Sequence, residues 1–314
     1  MAETKEMFKP KDVEELIDWY FHRPLAAHLV RVVEPTPLTP NQLTVLALIF
    51  GSASGFAFYA GGTNNAWVVV GAILLFSSII FDCADGQLAR VRGTASMLGR
   101  ALDGIADYFP TISAFYGLAF FIQQRMPELG WWTWILGYSA GASMIWHCFL
   151  YDGIKNVYLR NTKPPVDGMS MGWLDMERVE AEWAEIKRSG RILLWAIYWL
   201  FVVNTRAQHK HIAKEHAKDG PLTSSPEERE IYRDAYLSSM RLWSHLGLGT
   251  HLFLLVTASL LAAIHPGAPL VIWLIMIVPM NALTLWLLVT APRRYRRVRA
   301  TILQRRALEA ARAA

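Results

Sequence analysis

Residues 82–107 read DCADGQLARVRGTASMLGRALDGIAD and set four aspartates, Asp82, Asp85, Asp103 and Asp107, at the ends of two otherwise apolar segments of membrane length. An ionised side chain near hydrocarbon costs about 2.5–3.5 kcal/mol on insertion scales, so four of them need compensation and mark a site by default. Asp82 and Asp85 are spaced i, i+3, with Gly86 and Ala89 continuing their helical face, and Asp103 and Asp107 are spaced i, i+4. Each pair therefore points one way. As mere helix-end carboxylates, favoured by the helix dipole or hydrated, they would have no need of glycine and arginine at fixed offsets.

The rest of the chain fits a membrane protein. It has 314 residues, 53% hydrophobic and only 18% charged, with 13 Trp. Its formal charge of +5 sits in short basic runs flanking apolar segments, where cytoplasmic membrane loops carry it, so anionic lipid rather than nucleic acid is the expected neighbour. Cys83 and Cys148 fall in or beside apolar stretches and imply neither a disulfide framework nor a cysteine zinc site. No cleavable signal peptide is visible.

Periodicity predicts an all-α integral membrane protein with six spans. Residues 1–40 carry an amphipathic helix over 11–33, expected to lie in the membrane interface and to bend at Pro24. Thr39 followed by Pro40 caps span one, about 41–61. Span two runs from about Trp67 into the first Asp pair, span three over about 101–123, and span four over about 131–151, with Trp131, Trp132 and Trp134 as an interfacial belt. Residues 41–152 thus hold four spans and the aspartates. Residues 153–240 form a charged, helical cytosolic insertion, opened again at Ser225 before Pro226. Its apolar run 192–203 is 12 residues long, below the ~20 needed to cross, so an interfacial or re-entrant helix is expected there. Spans five and six fill 241–292, and 293–314 is a basic tail. With Arg90, Arg92 and Arg100 in the loop after span two, both termini and the aspartates are expected on the cytoplasmic side of the inner membrane.

Four carboxylates on adjacent helices would repel one another unless cations share the site, and hard divalent ions with oxygen ligands are the natural solution. Two such ions in an acidic cleft suit phosphoryl transfer. Gly86 and Ala89 leave room for a group to approach the backbone, and Arg90 can meet a phosphate.

The pattern Asp82-x-x-Asp85-Gly86-x-x-Ala89-Arg90, eight residues, Gly99, then Asp103 and Asp107 resembles the signature of the CDP-alcohol phosphotransferase family, eight positions fixed over 26 residues. The TPNQLT stretch and the six-span layout are similar as well, while the insertion is not. The resemblance implies a homodimeric membrane enzyme that displaces CMP from a CDP-linked alcohol, usually CDP-diacylglycerol, with the hydroxyl of a second alcohol. It implies Asp82, Asp85, Asp103 and Asp107 as ligands of two Mg²⁺ or Mn²⁺ ions, with Asp107 also the general base. Gly86, Ala89 and Gly99 would border the cytidine, Arg90 would contact the diphosphate, and Asn41 would join the nucleotide side of the site.

For the acceptor, His147, Tyr151 and Lys155 recur at i, i+4, i+8, and Arg241, His245 and His251 stand at the start of span five. Several cations together favour an anionic acceptor. HLGLGTH and the long insertion resemble a bacterial branch associated with inositol phospholipids, so inositol phosphate is the expected acceptor, with glycerol phosphate or another alcohol as the alternative. Two other classes stay open: a cation- or proton-coupled transporter, whose aspartates would line a midplane path, and a catalytically silent lipid-binding scaffold.

Overall fold

In the computed structural model, which describes residues 10–94, 108–164, 176–211 and 222–313, every regular element is helical. Helix α1 spans Arg23–Val33, α2 Pro40–Ala60, α3 Asn65–Val91, α4 Tyr108–Arg125 and α5 Trp131–Thr162. Helices α6, Met176–Arg188, and α7, Ile192–His211, make a hairpin. Then come α8, Pro226–Trp243, α9, Leu248–Ala262, α10, Ala268–Ile275, and α11, Asn281–Ala313. A π-turn, Met276–Met280, fuses α10 and α11 and contains Pro279. Three described stretches are long and apolar enough to cross a bilayer, Pro40–Ala60, Asn65–Val91 and Ala268–Arg312, and a fourth if the pair Pro226–Leu246 and Leu248–Ala262, bent by 42°, counts as one span. The segments expected as spans three, four and five are helical too, in α4, α5 and α9.

Thr39 starts α2 as the sequence predicts. Its hydroxyl accepts from the Gln42 amide, and its own amide donates to Gln42 Oε1 at 2.8 Å, a reciprocal capping box with Pro40 in the first turn. Asn64 caps α3 through Ala66 N–H at 2.9 Å. Helix α2 lies along both α3 and α4, and small residues set the spacing. A Cβ on Gly117 would sit 2.2 Å from the Gly55 carbonyl oxygen, so the α2 and α4 backbones touch there, the usual way helices associate in lipid. Ser78 and Ser113 donate to the Ala47 and Ser52 carbonyls at 2.6 and 2.7 Å, tying α3 and α4 to α2.

The N-terminal segment, expected as one amphipathic helix in the membrane interface, is built in pieces and turns several of its charges into the protein. The chain turns helical at Leu16, passes through a π-turn at Asp18–His22 and continues as α1, with Pro24 in the first turn of α1. Its charges point inward: Glu14, Glu15, Asp18, His22 and Arg23 are all buried, whereas Tyr20, Phe21, Leu25 and Val32 are exposed. The acids turn in because each finds a partner inside: Glu14 pairs with Arg23, Asp18 with His22, and Glu15 with the amino end of α9.

Arg92, expected only as a positive loop residue, fastens α3 to the entry of α2. Its guanidinium donates to the carbonyls of Leu38 at 2.6 Å, Glu34 at 2.8 Å and Thr36 at 2.9 Å. The planar fork reaches these carbonyls from two nitrogens held apart, Nη1 for Leu38 and Nη2 for Glu34 and Thr36, a spread that the single nitrogen of an ammonium does not reproduce. Arg92→Lys should therefore lower stability by about 1–3 kcal/mol, nearly as much as Arg92→Ala, read as the melting temperature in detergent.

The tail of α11 is held by Glu228, which also completes the Ser225 capping box of α8. Arg306 donates to Glu228 from Nε at 2.6 Å and from Nη2 at 2.9 Å, and it holds the carboxyl down from the ordinary 4.5 to about 2. That value lies below the unfolded one, so the contact stabilises above pH 4.5 and is lost as pH falls toward 2. Arg306→Ala should cost about 1–3 kcal/mol at neutral pH, and melting curves taken at falling pH should show that cost shrinking below pH 4.5.

Candidate active site

The first half of the aspartate motif occupies the last turns of α3. Asp85 is 5% exposed and accepts a short hydrogen bond from the Thr44 hydroxyl of α2. Thr44 lies one turn beyond Asn41, which is exposed in the first turn of α2, so the two share a helix face. Asp82 is half-buried and lines a small cleft with Ala47, Leu48, Ser78, Ile79, Pro110 and Leu252. Helices α2 and α3, the root of α4 and the start of α9 thus meet at this carboxylate.

Gly86 continues the same face of α3. Among the described residues, a Cβ there would have only the Arg90 guanidinium within 4 Å, with Nη1 at 3.5 Å and Nη2 at 3.9 Å. That guanidinium is the flexible end of a side chain, so no described residue blocks close approach to the α3 backbone at Gly86, and the positive charge lies beside it. Ala89 and Arg90 are half-buried one turn further on. Gly99, Asp103 and Asp107 lie outside the described residues, and among the described residues no three His, Cys, Asp or Glu side chains converge as a metal site.

The residues expected around an acceptor fall into three surroundings. His147 is buried between α5, α9 and α11, its Nδ1 3.1 Å from His251 Nε2 and its Nε2 3.1 Å from Asn281 Oδ1. Tyr151 and Lys155, further along α5, face the N-terminal segment. Tyr151 Oη donates to the Val13 carbonyl at 2.6 Å, and Lys155 Nζ pairs with Asp152 at 2.6 Å. Arg241 and His245, at the end of α8 and in the turn after it, are exposed.

The charged cluster under the motif escaped sequence reasoning. Glu15 accepts from Gly249 N–H at 3.2 Å, Thr250 N–H at 2.7 Å and the Thr250 hydroxyl at 2.9 Å, so it caps α9. A Cβ on Gly247 or Gly249 would meet Glu15 or Asp18 at 2.1 or 2.2 Å, which explains both glycines of HLGLGTH. Burial, and then the neighbouring Asp18, push the Glu15 carboxyl up to about 8, against the pull of these amide donors. Asp12 behaves oppositely: burial alone would raise it, but Arg233, donating at 2.7 and 3.2 Å, holds it below the usual carboxylate range. In the sequence these acids and the glycine-rich start of α9 lie more than 230 residues apart, so no local signal joins them.

Comparison with known proteins falls on the same part of the chain. Residues 37–207 match the sequence profile described as CDP-alcohol phosphatidyltransferase, a stretch that contains Asn41, Thr44 and the whole aspartate motif. The chain is 30% identical over 105 residues to the phosphatidylinositol phosphate synthase of Mycobacterium bovis, covering 33% of this chain and 45% of that protein. It is 30% identical over 82 residues to the archaetidylinositol phosphate synthase of Pyrococcus horikoshii, covering 26% and 41%. To the probable phosphatidylglycerophosphate synthase of Mycobacterium tuberculosis it is 36% identical over 97 residues, covering 31% and 44%. The matched part thus spans less than half the length of these relatives. With more than half of its length under the family profile, the chain belongs to the CDP-alcohol phosphatidyltransferase family.

Proposed function

We propose that this protein is a six-span enzyme of the inner membrane that transfers a phosphatidyl group from CDP-diacylglycerol to an alcohol and releases CMP, with both termini and the site on the cytoplasmic side. One observation carries the reading: Asp82, Asp85, Gly86 and Arg90 line the end of α3, within the stretch matched by the family profile. Acids at the end of a helix suit a site at the membrane surface better than a transporter's midplane path.

The donor set fits hard divalent cations, because carboxylate oxygens suit Mg²⁺ or Mn²⁺ and Asp85 is nearly out of water with a hydroxyl partner. Asp82, Asp85, Asp103 and Asp107 would hold two such ions, which when bound supply positive charge against the diphosphate. The chain's own residues do the rest. Arg90 contacts the diphosphate, and Gly86, Ala89 and Gly99 border the cytidine, with Asn41 near it. Asp107 takes the proton from the acceptor hydroxyl. The acceptor oxygen bonds to the phosphatidyl phosphorus as the bond from that phosphorus to the CMP oxygen breaks, and CMP leaves with that electron pair.

Inositol phosphate is the acceptor we favour, supported by the names of two relatives, a phosphatidylinositol phosphate synthase and an archaetidylinositol phosphate synthase. Glycerol phosphate is the second reading, supported by the name of a third. His147, Tyr151, Lys155, Arg241 and His245 are the residues proposed to face the acceptor, and a homodimer is the proposed assembly. Purified protein given Mg²⁺, CDP-diacylglycerol and a panel of alcohols should release CMP with one anionic alcohol above the others. Asp107→Asn should abolish release while nucleotide binding persists. No CMP from any CDP-linked donor, together with ion flux in liposomes that depends on Asp103, would sink the proposal.

A further inference from the structure

The α6–α7 hairpin is a small unit with a core of its own and one face left bare. Val179, Tyr198 and Val202 are fully buried between its helices, backed by Trp183, Ile186 and Phe201. Tyr198 Oη donates to Glu182 at 2.8 Å, Arg206 Nη2 donates to Glu180 at 2.9 Å, and the turn between the helices is closed by Gly190 at φ +69°. Gln208 Nε2 donates to Asp152 at 3.0 Å and joins the hairpin to α5. The opposite side of α7 shows Ile192 at 80% exposure, Trp199 at 43%, Leu200 at 48% and Val203 at 42%. Spacings of seven, one and three put all four on one helical stripe.

We infer that this stripe is a membrane-surface anchor, seated on the anionic lipid interface of the bilayer that the chain itself spans. From Ile192 to Val203 the stripe is ~17 Å long, about half of the ~30 Å hydrocarbon thickness, so α7 lies in the surface and does not cross it. Its charge selects the occupant. Residues 186–211 contain Lys187, Arg188, Arg191, Arg206 and Lys210 and no Asp or Glu. Arg206 is taken up by Glu180, so Lys187, Arg188 and Arg191 before the apolar stripe and Lys210 after it are the cations whose stems reach anionic headgroups while the middle enters the acyl boundary. The acids of the hairpin, Glu177, Glu180, Glu182 and Glu185, all belong to α6, and two of them are engaged within the hairpin, Glu182 by the Tyr198 hydroxyl and Glu180 by Arg206. Continuity supplies the second argument, since the tie from Gln208 to Asp152 keeps α7 beside α5, next to the bundle that carries the apolar spans. This anchor is independent of the reaction proposed above.

The test uses the full chain in a Cys83→Ala, Cys148→Ala background, reconstituted into phosphatidylcholine vesicles with roughly a third phosphatidylglycerol. An environment-sensitive fluorophore is carried by Leu200→Cys on the stripe or by Glu185→Cys on the exposed side of α6. Acyl-brominated lipid should remove more than about half of the emission at position 200 and leave position 185 nearly unchanged. Adding Arg188→Glu and Arg191→Glu should cut the quenching at position 200. If Leu200→Cys disturbs folding, read by size exclusion, Val203→Cys takes its place. Emission at the stripe that brominated lipid leaves intact would overturn the inference: aqueous iodide then quenches it if the stripe is bare, and does not if another protein covers it.

Discussion

Asp85→Asn should lower CMP release by about 10²–10³-fold while leaving the melting temperature nearly unchanged, because the amide keeps the carboxylate's shape and can still accept from Thr44. The charge is what the substitution removes, and a phosphoryl-transfer site depends on it. Asp82→Asn should act alike, being one turn away on the same face of α3 and lining the cleft. Thr44→Val separates positioning from chemistry. It leaves the carboxylate charged but removes the hydroxyl that orients it, so the Mg²⁺ concentration for half-maximal rate should rise about 10-fold while the rate at saturating Mg²⁺ changes little. Steady-state CMP release as a function of Mg²⁺ reads both effects. A rate in Asp85→Asn close to that of the unaltered protein, with the same Mg²⁺ dependence, would remove this carboxylate from the site.

The motif was legible because its chemistry is encoded at short range: two aspartates, a glycine and an arginine at fixed offsets on one helix need no knowledge of distant partners. The Thr39 and Ser225 caps were legible for the same reason, and the structure keeps both. The N-terminal segment was not. Its charge pattern suits an amphipathic helix in the membrane interface and says nothing of partners, yet Glu15 finds its donors at Gly249 and Thr250, more than 230 residues away. Local periodicity says which residues share a face and cannot say what that face meets. Along α5 the same limit appears within one helix, since the eight residues from His147 to Lys155 advance ~12 Å, enough to pass from a histidine and asparagine cluster to a charged one.

Arg23 offers the larger stability effect. Its side chain is 7% exposed and lies 3.0 Å from Glu14, which is 4% exposed, as a close ion pair. Burial alone would lower the Arg23 pKa, but Glu14, with help from Asp18, raises it above the ordinary arginine range, so the guanidinium stays charged. The Arg23 carbonyl accepts from Gln87 Nε2 at 3.1 Å, which fixes the segment against α3 within a turn of Asp85. Arg23→Met leaves the Glu14 carboxylate buried without its cation and should cost about 3–5 kcal/mol, seen as a large fall in melting temperature in detergent. The double variant Glu14→Leu, Arg23→Met removes both charges and should recover most of the loss, because the desolvation of a buried pair offsets much of its attraction. CMP release should follow the same order, low in the single variant and restored in the double, since the segment supports α3 from behind and touches no reacting group. If the double variant were as unstable as the single, the pair would contribute through packing alone. If it were stable but inactive, the N-terminal segment would have a part in the reaction itself.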